Sequence, residues 1–384
     1  MSVESTVAQS KTVVLLERDY YTSEEIFSRE YDRIYSREWI YAGHMSQVPN
    51  KGSFFKFSFG GEEILVARGE GDNVYANLNV CRHRGFRLCA EETGKVRSFV
   101  CPYHHWRYDL DGTLRNAPQM PDGEYFDYAD FPLRTAQVEV WHGLIFVNLS
   151  PEPVEPISLQ FSVFDTMVDK FSPERTKLVH EKKYQLDANW KVAVENALEC
   201  YHCPGSHRTL CSVVDVPGLI ADLKDWFAGD EGESPGDQGQ RGMRIQTGMQ
   251  TLSIDGKLLT DKLLGGCDSG DVESGISGGV MFMPNFAYAA FYVDHWWTIS
   301  IRPISAHRTE FVYSWFVRED AVEGEDFDVE RLIEVGHITQ SEDNALIERT
   351  QAGIDSRFYV PGPINMDAEP ALHDFVTNYL KFLA

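Results

Sequence analysis

Positive charge is what this chain has least of. Its 384 residues include 35 Lys and Arg against 59 Asp and Glu, a formal net charge of −24. A nucleic-acid partner needs a basic face to neutralise phosphate, and an anionic membrane surface asks for the same, so neither is an expected partner. Long hydrophobic runs are also missing. Val13 to Leu16 is too short for a signal h-region or a membrane span, and Met1 to Gln9 offers no basic n-region, which predicts a cytoplasmic protein. Cysteine is sparse: seven residues, at 81, 89, 101, 200, 203, 211 and 267, form an odd set without small-scaffold spacing. A disulfide framework is therefore not expected, and metal ligation is the better question. Internal repeats are absent. What is present, 43% apolar residues with 12% aromatics, suffices for two domains of roughly 150 to 200 residues.

Thr22 to Glu25 reads as a capping box ahead of Phe27, Tyr31, Ile34 and Tyr35 at helical spacing, up to Trp39. From Ser46 to about Pro156 the pattern becomes short runs (FFKFSF, EILVAR, VYANLNV, LIFVNL) separated by turn signals, a small β domain with ligand-like residues in its loops. The proline-rich PEPVEPIS, 151 to 158, marks a boundary. The expected division is an N-terminal helical segment over 1–45 packing on the catalytic domain, a β domain over 46–156 and a second domain over 157–384. The second domain should hold a helix from Trp190 to Cys203 and two loop-rich stretches, 228–242 and 265–279, around a hairpin near Ser253 to Lys257. Aromatic-rich strands follow, then a long amphipathic helix from Phe327 to Ala352.

Cys81, His83, Cys101 and His104 spell C-x-H, a gap, then C-x-x-H. Two thiolates and two imidazoles suit zinc or a mixed-ligand iron–sulfur cluster, so residue types alone do not decide. Each knuckle supplies one Cys and one His, which fits a [2Fe–2S] centre with both cysteines on one iron and both histidines on the other. CRHRG and CPYHHWRYDLDG closely resemble the motifs of Rieske non-heme iron oxygenases. Respiratory Rieske proteins carry a disulfide between their two cluster loops; the matching positions here are Phe86 and Tyr103, so the resemblance is to the oxygenase branch. Cys89 reads as a small packed residue, and His105 has no partner in the pattern.

Glu199, His202 and His207 lie within nine residues. Glu199 and His202 are three apart and should share a helix face, while Pro204 and Gly205 should end that helix and turn His207 back to the same point. An oxygen-activating ferrous site takes two histidines and a carboxylate. In SEDNALIERTQAG, Glu342, Asp343 and Glu348 compete, and spacing does not choose between them. The family's acidic-pair helix places the ligand on Asp343, with Glu342 as the rival. Cys200 and Cys203 flank His202, but helical spacing should point them away from the triad. By the same resemblance Glu199 is an electron-transfer bridge, accepting from His104 of a neighbouring subunit and from His202 in a head-to-tail homotrimer.

The resemblance implies an α+β protein: a small all-β Rieske [2Fe–2S] domain plus a helix-grip-like catalytic domain with an antiparallel sheet and one mononuclear non-heme iron(II). No flavin or nicotinamide domain is visible, so a separate flavin or ferredoxin-type reductase should bring electrons from NAD(P)H. ECYHCPGSH is most similar to the branch of glycine betaine, choline, proline betaine and carnitine oxygenases. That implies O2-dependent N-demethylation of a betaine, with ring hydroxylation or O-demethylation of an aromatic substrate as the alternative and a catalysis-free electron carrier as a third reading. Phe282, Phe286, Tyr288, Phe291, Tyr292, Trp296 and Trp297 could face a trimethylammonium group, and strand alternation lets about half of them reach any one cavity.

Overall fold

Alternating apolar runs between 40 and 148 form a seven-stranded antiparallel sheet. Its order is Ile40–His44, Leu144–Asn148, Thr135–Trp141, Val74–Leu78, Glu62–Arg68, Ser53–Phe59 and Thr93–Lys95. A small three-stranded sheet, Phe99–Val100, Arg107–Tyr108 and Leu114–Asn116, carries the second cluster knuckle. The computed structural model describes residues 13–120, 126–228, 244–282 and 287–384.

The second half builds a five-stranded antiparallel sheet in the order Thr176–Leu186, Arg308–Arg318, His295–Ser305, Ala287–Tyr292 and Ser277–Phe282. Both faces of this sheet are covered, so its two long central strands are buried at most positions rather than at every second one. Tyr292, Trp297, Tyr313 and Trp315 belong to the core shared with the Trp190–Ala197 and Val329–Ile354 helices. Phe291, Trp296 and Phe316 belong to the core shared with Trp141 and Phe146 of the first sheet. The expected aromatics therefore divide by strand parity: Tyr288, Tyr292 and Trp297 go to the helix side, Phe291 and Trp296 to the other. Phe286 and the side chain of Phe282 lie outside the described residues.

The Val329–Ile354 helix, capped by Asp328 Oδ1 accepting from Arg331 N at 2.9 Å, lies against the Trp190–Ala197 helix and the Thr176–Leu186 strand. Gly336 sets its distance from the sheet: a Cβ there would meet the Tyr313 ring at 2.5 Å. An interior helical glycine costs about 1 kcal/mol, and here it admits Tyr313 beneath the helix. Among the described residues no helix is long and apolar enough to cross a membrane.

Several expectations need correction. The expected opening helix is capped by Ser23, not by Thr22, which ends a short preceding helix, Asp19–Thr22: the Ser23 side chain accepts from Ile26 N, the helix runs Glu24–Glu30, and a wider turn, Tyr31–Tyr35, continues it. Ser253 to Lys257 is a side-chain-tied turn rather than a strand hairpin, with Ser253 Oγ donating to the Lys257 carbonyl at 2.7 Å. The stretch from 265 to 279 contains a capped helix, Ser269–Ser274, and the start of a strand. The stretch from 228 to 242 lies almost wholly outside the described residues.

Candidate metal centres

The two cysteine knuckles share one backbone design. Cys81 N donates to the Phe86 carbonyl and Gly85 N to the Cys81 carbonyl; Cys101 N donates to the Trp106 carbonyl and His105 N to the Cys101 carbonyl. The fifth residue of each loop is left-handed, Gly85 at φ 70° and His105 at φ 59°. His105 therefore holds a backbone position that favours glycine, which accounts for it without a ligand role.

Cys81 and Cys101 are buried, while the His83 and His104 rings sit towards the rim with centroids 4.5 Å apart. Burial, with Cys81 beside it, pushes the Cys101 thiol up; burial and the neighbouring His83, Arg84 and His105 hold His104 below its usual range, in the neutral form that ligates a metal. His83 Nδ1 is buried with no hydrogen-bond partner. An orphaned imidazole nitrogen beside two buried thiols fits a cluster with two sulfur and two nitrogen donors, because a bound iron would satisfy the atom that the protein leaves bare. The indole of Trp106 stacks on His83 at 4.8 Å, and Tyr108 Oη lies 3.4 Å from Cys81 Sγ. Phe86 and Tyr103 form an aromatic pair, centroids 5.6 Å apart, so a ring contact rather than a disulfide links the two cluster loops.

At the second constellation the helix stops earlier than its periodicity suggests. It spans Trp190–Ala197, and 199 to 202 form a turn before a short helical stretch, Cys203–Ser206. In one continuous helix the Pro204 ring would clash with the carbonyl of residue 200; after the break it falls in a first turn, where its missing N–H costs nothing. Glu199 and His202 thus meet across a turn rather than along a helix face. Glu199 Oε1 lies 2.5 Å from His202 Nδ1, and its Oε2 accepts from His202 N at 3.1 Å.

The three expected donors converge. His202 Nε2 and His207 Nε2 are 3.0 Å apart, and Asp343 Oδ1 lies 3.2 Å from the first and 2.9 Å from the second. Donors about 2.1 Å from a common centre and at right angles to one another sit about 3.0 Å apart, so these edges fit one face of a metal coordination sphere. Burial opposes charge on His202, but hydrogen bonds to Asp343 and Glu199 outweigh it and hold the imidazole up at about 10. His207 is raised in the same way by Asp343 and Glu342 against its burial. Burial likewise works against the Asp343 carboxylate, yet its contacts with both imidazoles keep it below the ordinary range.

Glu342 does not join the converging donors. Its Oε2 lies 2.8 Å from His207 Nδ1, so it stands behind His207 as Glu199 stands behind His202. Sequence reasoning weighed Glu342 only as a rival ligand and overlooked Asn196, whose Nδ2 donates to Asp343 Oδ1 at 3.2 Å. Asn196 is three residues before Glu199, a spacing that could have flagged it. Glu348 is elsewhere, accepting from Asp187 N at 3.2 Å. Cys203 needs a correction: the helix break turns it towards the imidazoles, and its donor atom lies within 4.8 Å of those of His202 and His207. Its sulfur is 3.9 Å from His202 Nε2, farther than the Asp343 oxygen, and Cys200 and burial push its thiol far up. The carboxylate is the closer and already ionised third donor.

The ring hydroxylating alpha subunit (catalytic domain) family matches residues 173–384, and the Rieske [2Fe-2S] domain family matches residues 38–137. The glycine betaine monooxygenase oxygenase subunit of Pseudomonas aeruginosa is 34% identical over 382 residues, covering 95% of this chain and 88% of its own. The chloroplastic choline monooxygenase of Amaranthus tricolor is 26% identical, covering 93% and 75%. A solved quaternary ammonium Rieske monooxygenase in complex with L-carnitine superposes with a TM-score of 0.72 at 23% identity, over 97% of this chain and 96% of that one, and shares the fold.

Proposed function

The chain belongs to the ring-hydroxylating Rieske oxygenases, and from that membership we propose that it is the oxygenase component of a monooxygenase that removes an N-methyl group from a quaternary ammonium compound, a betaine in the first place. The observation that carries this reading is the convergence of His202, His207 and Asp343, the last on a helix that packs over an aromatic-rich face of the catalytic sheet. Trp297 stacks on Tyr313 with centroids 5.0 Å apart and meets Tyr288 edge-on at 5.5 Å. Aromatic faces attract a permanently charged ammonium by about 0.5 to 2 kcal/mol per contact, depending on desolvation. The glycine betaine and choline relatives support the same substrate class.

The family carries a Rieske [2Fe–2S] cluster and a mononuclear non-heme iron. Cys81, His83, Cys101 and His104 would hold the first, and His202, His207 and Asp343 the second. The cluster passes electrons singly and the mononuclear iron is where dioxygen is reduced. The protein's own part is positional. Glu199 and Glu342 fix the ring orientation of His202 and His207 and raise their basicity, Asn196 holds Asp343, and the aromatic face presents the methylated nitrogen.

One oxygen atom enters an N-methyl C–H bond, while two electrons and two protons carry the other to water. The N–CH2OH product divides into formaldehyde, a proton and the tertiary amine. Electrons come from a separate reductase. We place Glu199 as the bridge to His104 of the next chain in a head-to-tail trimer, since its carboxylate already grips His202 and an imidazole on its far side would complete the path.

The test is turnover: protein, reductase, NADH and oxygen incubated with glycine betaine, choline or an aromatic acid. Release of one formaldehyde per quaternary ammonium consumed is expected. Ring oxidation of the aromatic acid with no formaldehyde from either ammonium compound would overturn the reading.

A further inference from the structure

Three of the seven cysteines, Cys200, Cys203 and Cys211, gather around the mononuclear site, all as free thiols. The first two spell Cys-x-x-Cys, the spacing of dithiols that cycle between reduced and disulfide forms, and His202 lies between them. The fold brings the pair together. Cys203 N donates to the Cys200 carbonyl at 3.2 Å, which closes a turn, and the two side chains hydrogen-bond to each other. The Cα atoms at the ends of such a turn lie within about 7 Å, and a disulfide spans Cα separations of about 4.4 to 6.8 Å. The pair can therefore close with little backbone movement.

Both thiols stand where dioxygen is reduced. Cys203 is buried, and its sulfur lies 3.9 Å from His202 Nε2, the nitrogen that faces Asp343. Cys200 is partly exposed and lies within electrostatic reach of Glu199, Asp343 and the Tyr288 phenol. Cys211 stays outside the pair, because its sulfur donates to the Cys203 carbonyl at 3.3 Å. N-demethylation itself uses neither Cys200 nor Cys203. A dithiol with no part in turnover, packed beside the iron ligands, is a liability to the enzyme unless its oxidation can be reversed.

We propose that Cys200 and Cys203 form a peroxide-responsive dithiol that closes to a disulfide when dioxygen is reduced without substrate, switching the iron site off until a thiol reductant reopens it. The proposal rests on the oxygenase reading above and adds regulation to it. Dioxygen that takes two electrons and two protons and meets no C–H bond leaves as hydrogen peroxide. One thiol breaks the peroxide O–O bond, becoming a sulfenic acid and releasing a water; the sulfur of the other displaces the hydroxyl as a second water, and the S–S bond forms. The pair gives up two electrons and two protons, and a dithiol reductant returns them. Closure draws the sulfurs to about 2.05 Å. The turn between them carries His202, so its imidazole shifts from Asp343 and Glu199 and iron is held less tightly.

The test exposes the iron-loaded protein to stoichiometric hydrogen peroxide and, separately, to reductase, NADH and oxygen without substrate. Free thiols are then counted, disulfides mapped by peptide mass, and iron affinity and glycine betaine turnover measured before and after dithiothreitol. Added peroxide should remove both thiols of the pair, link Cys200 to Cys203 and weaken iron about tenfold in a chelator competition, with the cluster spectrum unchanged and every change reversed by dithiothreitol. Cys200→Ser and Cys203→Ser should form no such link and keep their iron affinity, while Cys211→Ser should respond as wild type does. Wild-type thiols that survive peroxide, or pair with Cys211 instead, or a Cys200–Cys203 link that leaves iron affinity and turnover untouched, would overturn the switch while sparing the demethylation. Closure with added peroxide but never during substrate-free reduction would uphold the dithiol and overturn the source of its oxidant, the oxygen-reducing iron site.

Discussion

Two adjacent acids, Glu342 and Asp343, face the same pair of imidazoles and do different work. Asp343 Oδ1 sits at the meeting point of the ring nitrogens, whereas Glu342 reaches the far nitrogen of His207. Replacing a carboxylate that stands behind a ligating histidine typically costs 10- to 100-fold in metal affinity or activity. Glu342 is partly exposed, so Glu342→Gln should fall at the low end, about a tenfold loss of iron affinity in a chelator competition, with the cluster spectrum unchanged. An unchanged affinity would mean that the Glu342 contact does no positioning. Spacing could not separate these two acids. Consecutive helix residues point about 100° apart, but which one faces the site depends on how the helix is rotated, and that is decided by Gly336 over Tyr313 and by Asn196 across from Asp343. The cysteine and histidine motifs were legible because ligand chemistry restricts residue type; the supports behind them were not, since many side chains can donate or accept one hydrogen bond.

At the level of elements, the strand runs were readable because apolar alternation is a local property, and FFKFSF and LIFVNL fall within one residue of the observed strands. The Trp190–Ala197 helix was overextended because its fate was set downstream, at Pro204. The second knuckle hides its design in the same way: His105 takes the left-handed position that Gly85 holds in the first. His105→Gly should therefore keep the cluster and raise the melting temperature slightly, whereas β-branched His105→Val should lower cluster occupancy, read by visible absorbance per chain.

The site helix is also tied to both ends of the chain through a network that the sequence did not reveal. Lys191 Nζ meets Glu30 Oε1 at 2.5 Å with both side chains fully buried, and Tyr379 Oη and Trp190 Nε1 donate to the same carboxylate at 2.6 and 2.8 Å. Glu195, on the same helix, accepts from Tyr21 Oη at 2.7 Å, and burial pushes its carboxyl up to about 7. A carboxyl whose folded value lies above its ordinary 4.5 keeps its proton longer in the folded state, so its contribution to stability is present at low pH and declines from about 4.5 to about 7. Glu195→Gln removes that decline. The stability of Glu195→Gln relative to wild type, from urea unfolding, should rise across this window and level off above it; a flat difference would contradict the buried acid.

For the whole molecule, the distribution of exposed aromatics matters most. Phe86 and Tyr103, on the two cluster knuckles, are 45% and 50% exposed, and Tyr201, beside His202, is 60% exposed. A head-to-tail trimer would give these surfaces partners and bring a cluster to each Glu199. Co-expression of His83→Ala chains with His202→Ala chains tests this arrangement. Neither is active alone, and randomly mixed trimers should recover about a quarter of wild-type activity, because each mixed ring holds one interface with an intact cluster facing an intact iron site. No recovery would place electron transfer within one chain. The −24 charge belongs to this scale too: it bears on encounter with charged partners without touching the fold. The claim beneath all of this is that one chain holds two separate iron sites, and iron counting tests it most directly. Wild-type protein should contain about three irons per chain, and Asp343→Ala about two, with the cluster's visible and paramagnetic signals unaltered. An Asp343→Ala protein that keeps all three irons, or one that loses the cluster signal along with the third, would contradict the account.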